Sequence, residues 1–189
     1  MKPIFKTWRT IKLGTGLKTP DDFRRALDQA GCEKGEWGHY LLGRPEFVAS
    51  VAKKPTELEL VLVSGADLGL EDEEPYEMDI YNRAEESGLK LVPAEVGPQL
   101  CLQSADQPAD QLPNSGCSIG MESISDHVEG NDKIFYVGLV GGRPWLDAHS
   151  HAYEDEEGED DRDSDDDGHI SIFTVVVRTS KDTLFVFGK

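Results

Sequence analysis

The chain has 189 residues, with 19 basic against 37 acidic side chains and a formal net charge of −18. Such a surface repels phosphate backbones and anionic lipid, so direct nucleic-acid or membrane binding is disfavoured and a basic protein or a cation is the expected partner. Cys32, Cys101 and Cys117 are odd in number without CxxC spacing, and no signal-peptide core or bilayer-length apolar run is present, which implies a cytoplasmic, reducing location.

The length suits a single domain spanning 1–189, since a chain of this size hides roughly 70% of its unfolded surface without disulfides. Gly14 to Thr19 reads as a turn feeding a helix. Thr19 is a good N-cap, Pro20 suits the first helical position, and Asp21 and Asp22 favour the positive end of the helix dipole. Phe23, Ala26, Leu27 and Ala30 then form one apolar stripe, and Gly31 ends it. A second short helix is expected over Glu36 to Leu42, with Gly43 as its stop. Residues 1–50 therefore read as a helical N-terminal part, and 55–189 as a β-rich part.

Glu57 to Val63 reads as a strand with Leu58, Leu60 and Leu62 on one face. Pro75 to Ser87 reads as a helix closed by Gly88, with Tyr76, Ile80 and Ala84 inward. Short β-prone runs follow at Gln99–Gln103, Ser118–Ile124, Ile134–Val140, Trp145–His149, Ile170–Arg178 and Thr183–Phe187, separated by Pro, Gly, Asn and Asp clusters. The pattern predicts an α+β fold, N-terminal helices followed by a mostly antiparallel β-sheet or partial barrel.

An acidic loop interrupts the β-rich part at about 152–168. From Glu154 to Asp167 it holds eleven acids, one Arg, one Gly and one Ser. Without that run the balance is 18 basic against 26 acidic residues, or −8, so more than half of the net charge lies in one segment. A stretch this charged cannot bury itself. It is a solvated loop, a cation-binding loop or an electrostatic bait for a basic partner.

Two local patterns suggest ions. Asp163, Asp165 and Asp167 followed by Gly168 and Ile170 reproduce the DxDxDGxI core of a calcium loop, in which alternate acids supply oxygens from one side of a tight turn. The twelfth position is Thr174 rather than Glu, which excludes an EF-hand and leaves a looser Ca2+ loop. Asp147, His149 and His151 stand at i, i+2 and i+4, so on an extended strand one carboxylate and two imidazoles face a transition metal together. The string is similar to the DxHxH motif of metal-dependent amidohydrolases, but the 38 residues after His151 leave no room for that barrel. No other cofactor motif is present. Ser64, Ser118 and Ser123 carry no nucleophile signature.

Several strings recur as a set: Trp8-Arg9-Thr10-Ile11-Lys12-Leu13-Gly14, Asp21-Asp22-Phe23-Arg24-Arg25-Ala26-Leu27, Leu42-Gly43-Arg44-Pro45, Asp79-Ile80-Tyr81-Asn82-Arg83-Ala84 and, above all, Pro93-Ala94-Glu95-Val96-Gly97-Pro98-Gln99-Leu100. In these the chain resembles a family of uncharacterised bacterial proteins. The resemblance implies a bacterial origin and no particular activity. Glu95 and Gln99, within its most distinctive string, either line a site or satisfy backbone groups beside Pro93 and Pro98.

The leading expectation is a non-enzymatic interaction or regulatory protein that presents its acidic loop to a basic partner. The alternatives are a metal-dependent hydrolase using Asp147, His149 and His151, and a calcium-binding module using Asp163, Asp165 and Asp167.

Overall fold

The computed structural model describes residues 4–125, 132–150 and 178–189. In chain order its elements are β1 (Arg9–Leu13), α1 (Pro20–Gln29), β2 (Glu33–Lys34), α2 (Glu36–Leu41), α3 (Pro45–Ser50), β3 (Thr56–Ser64), α4 (Glu77–Glu86), α5 (Val96–Leu102), α6 (Pro108–Gln111), β4 (Cys117–Ile119), β5 (Ile124–Ser125), β6 (Asp132–Val140), β7 (Arg143–Ser150) and β8 (Leu184–Gly188). The fold is α+β.

The sheet runs β1-β3-β8-β4-β6-β7-β2, with β5 added beside β6. Its pairing is mixed: β4 with β8 and β2 with β7 are parallel, and the other pairs are antiparallel. Helix α5 touches β1 near one end of this order and β6 and β7 near the other. The sheet therefore curls round α5, whose residues Val96 to Cys101 are all buried. On the same side Phe23 of α1 meets Phe47 of α3 edge-on at 5.1 Å, and Phe47 meets Phe135 of β6 at 5.9 Å. Helix α4 packs against β8 and β4, where Tyr81 lies edge-on to Phe187 at 5.6 Å and its hydroxyl donates to the Met121 carbonyl at 3.3 Å.

Local chemistry explains the best-formed pieces. At α1 the Thr19 hydroxyl accepts from the Asp22 amide at 3.2 Å and the Asp22 carboxylate accepts from the Thr19 amide at 3.0 Å, a reciprocal capping box. Those bonds hold the Asp22 carboxyl down at about 2, the Thr19 side chain being the largest cause. Gly14 turns the chain out of β1 with φ +63°, and a Cβ there would stand 2.3 Å from the Lys54 carbonyl oxygen, so this position has room only for glycine.

The structure corrects two expectations. Gln99–Gln103 is not a strand: Val96–Leu102 is the buried helix α5. The first fifty residues are not a separate helical unit either. The strand β1 precedes α1 and pairs with β3, and β2 pairs with β7, so this stretch supplies both ends of the sheet order. The expected strand Ile170–Arg178 lies, except for Arg178, outside the described residues.

Candidate functional site

Strand β7 carries the first candidates. Its residues alternate, Leu146 and Ala148 being buried among the core and Asp147 and His149 half-buried on the other side. The sequence expectation that Asp147 and His149 share a face holds, but each serves a different neighbour. The Asp147 carboxylate accepts from the Gly38 amide at 3.0 Å, in the first turn of α2. It lies so close to the turn into α2 that a Cβ on Gly35 would stand 2.1 Å from its Cγ. Asp147 thus caps, from another element, a helix whose own N-cap residue Gly35 has no side chain to do so, and its negative charge sits at the favourable end of the helix. Its role in the fold is to lock α2 onto the sheet.

His149 has a different setting. Its Nε2 lies 2.9 Å from Ser118 Oγ on β4, and its Nδ1 lies 3.0 Å from the Ser150 carbonyl oxygen and 3.6 Å from Glu77 Oε1 at the start of α4. The Ser118 residue is 1% exposed and Glu77 is 2% exposed, whereas the His149 side chain keeps 35% of its surface in solvent. Three elements therefore converge on one imidazole with a buried hydroxyl on one nitrogen and a buried carboxylate on the other. The Tyr136 ring stands edge-on to the imidazole, with centroids 6.2 Å apart, and limits how it can tilt. Sequence reasoning missed Ser118 and Glu77. Ser118 follows no nucleophile turn, and Glu77 is one of 37 acids.

Glu95 satisfies backbone groups, those of Gly14 and Ala52 rather than any beside Pro93 and Pro98, and Gln99 bonds to side chains. Glu95 is fully buried, and its Oε1 accepts from the Gly14 amide at 2.9 Å while its Oε2 accepts from the Ala52 amide at 2.7 Å. Gln99 donates to Thr15 Oγ1 at 2.7 Å, and Gln103 exchanges two hydrogen bonds with the Lys12 backbone at 2.9 and 2.8 Å. Spaced by four, these side chains form one polar edge of α5 that ties it to β1 and to the Gly14 turn.

The remaining candidates belong to the C-terminal region. His151, Asp163, Asp165 and Asp167, together with the acidic run, lie outside the described residues. Among the described residues no group of three or more His, Cys, Asp or Glu side chains is placed to hold a metal ion. The two described flanks of segment 151–177 meet at one place, the start of α4: His149 faces Glu77, and Arg178 bridges to Tyr76 and lies 4.5 Å over its ring. Beside that start the exposed acids Glu71, Asp72, Glu73 and Glu74 line up, with Arg178 3.8 Å from Asp72 and Lys181 paired with Glu73.

Burial disfavours the thiolate form of all three cysteines at neutral pH. Burial pushes Cys32 up to about 11 and Cys117 up to about 12, and Cys101 also moves up for the same reason. Among the described residues no helix is long and apolar enough to cross a membrane.

No protein-family model matches the chain, and no curated protein or solved structure matches it significantly.

Proposed function

We propose that the protein is a binding module that presents acidic residues 154–167 to a basic partner. The observation that carries this reading is the placement of charge. A run holding eleven acids is inserted between two chain ends that both lie at the start of α4, next to the exposed acids Glu71 to Glu74. Concentrating negative charge in one segment of the chain gives fast, oriented encounter with a positive surface. The rest of the fold supplies rigidity, and its most buried carboxylate is occupied in holding α5 to the Gly14 turn.

The test is titration of a defined Lys/Arg-rich peptide into the full chain at several salt concentrations, by calorimetry or anisotropy. The expected outcome is binding that weakens steeply between low and physiological salt, because exposed charges are screened over about 8 Å at 0.15 M. A variant in which the acids of 154–167 become Asn and Gln should lose most of that affinity. If it binds the peptide as tightly as the parent chain, the reading is wrong.

A further inference from the structure

We propose that Ser118, His149 and Glu77 form a serine acyl-transfer site at the start of α4, able to take the acyl group of a small neutral or cationic ester. The argument begins with the imidazole tautomer. Nδ1 faces the Ser150 carbonyl oxygen at 3.0 Å and the Glu77 carboxylate at 3.6 Å. Both are acceptors, so in the neutral ring Nδ1 carries the proton and Nε2 presents its lone pair. The group 2.9 Å from that lone pair is the Ser118 hydroxyl, which must then donate. A hydroxyl donating to an imidazole whose other nitrogen is held by a carbonyl oxygen, with a carboxylate 3.6 Å away, is an arrangement in which histidine can act as a general base toward serine.

The chemistry balances with groups already in place. Ser118 Oγ attacks the ester carbonyl carbon and forms the new C–O bond while its proton moves to His149 Nε2. The bond to the alcohol leaving group breaks, and that alkoxide takes the proton back from Nε2. Water, activated by the same nitrogen, then cleaves the acyl-serine and returns a carboxylic acid. The Ser150 carbonyl fixes the tautomer, and Glu77, 3.6 Å from Nδ1, is a positioning residue whose charge stabilises the imidazolium between steps.

Burial sets the substrate class. Ser118 is 1% exposed and held between β6 and β8, whereas the imidazole beside it is partly open, so among the described residues the edge of His149 is the solvent-facing approach to Oγ. That route suits a short acyl chain. The chain's net charge of −18, with Glu71 to Glu74 beside the start of α4, repels an anionic ester and favours a neutral or cationic one. This site is independent of the acidic-run reading, since neutralising 154–167 leaves all three residues unchanged.

The experiment is reaction of the full chain with a small alkyl fluorophosphonate, followed by peptide mass mapping and rates. In that reaction the Ser118 oxygen bonds to phosphorus, fluoride leaves, and the hydroxyl proton passes to His149. The expected result is one modified serine, Ser118, with a rate that falls at least about a hundredfold in His149→Gln, the scale of a lost general base. Circular dichroism checks that the variant remains folded. Nitrogen-15 NMR of the His149 ring should show the Nδ1–H tautomer in the parent chain, and labelling of Ser118 should slow in Glu77→Gln. Labelling that misses Ser118 in the folded protein, or that proceeds equally fast in folded His149→Gln, would overturn the proposal, as would finding the Nε2–H tautomer.

Discussion

Among the described residues two carboxylates are buried beside helices, and they are used in opposite ways. Glu95, at the start of α5, has both oxygens filled by backbone amides of Gly14 and Ala52. Glu77, at the start of α4, faces an imidazole that in turn faces a hydroxyl. The first arrangement has no proton to move. Its donors are two main-chain amides and the Gln99 side-chain amide, none of which titrates, and the carboxylate replaces the water they lose on burial. In the second, the imidazole has a choice of protonated nitrogen and reaches solvent. A buried acid reads as architecture when amides close it, and as chemistry when an imidazole does.

The contrast is sharpest in the effects of truncation. Glu95→Ala should leave two part-buried amides without their carboxylate, at about 1 kcal/mol or more each, so chemical denaturation should show a loss of at least about 2 kcal/mol. A loss below 1 kcal/mol would mean that water replaces the carboxylate and that the α5 edge does not hold the sheet closed. His149→Gln removes one partly exposed hydrogen-bonded group and should cost about 1 kcal/mol in the same measurement. A stability effect as large as that of Glu95→Ala would make the α4 cluster architectural too.

Asp147→Ala should also cost about 1 kcal/mol, as the loss of a helix cap does, with exchange of the Gly38 amide accelerated. Because this carboxylate already serves α2, zinc or manganese should not raise the melting temperature through it. A midpoint that rises with either ion and falls back in Asp147→Ala would return Asp147 and His149 to the metal reading.

The smallest effects concern the thiols and the α1 cap. Burial raises the thiol values, so the native protein should resist alkylation at neutral pH and react only when unfolded. The folded Asp22 carboxyl titrates at about 2, below its ordinary 3.8. Its contribution is therefore complete above that ordinary value and fades as the pH falls from about 4 toward 2. Comparing acid melts of the parent chain and Asp22→Asn isolates that window; curves that differ only above it would contradict the capping box.

How much of this was readable beforehand follows from how local each signal is. Helix α1 announces itself because Thr19, Pro20 and the Phe23/Leu27 stripe lie within eleven residues. The long β-branched and aromatic run of β6 is equally plain. Helix α5 was hidden by its own setting. Gly97 and Pro98 lower its propensity, and burial on all sides erases the polar–apolar period that marks a surface helix. The strand β1 was missed because only Ile11 and Leu13 are buried, beside charged Arg9 and Lys12. At the site, alternation correctly placed Asp147 and His149 on one face. Their partners Gly38 and Ser118 lie 109 and 31 residues away, and nothing in a linear pattern pairs them.

The most direct test of where function lies is to follow backbone amide and histidine NMR signals while a Lys/Arg-rich peptide is titrated into the full chain. The account predicts that the largest shifts fall at the start of α4, among Glu71 to Glu77, His149 and Arg178, together with residues 154–167. Shifts concentrated instead around the Gly14 turn, Ala52 and Glu95, with His149 unmoved, would contradict it and place the binding face on the side assigned here to architecture.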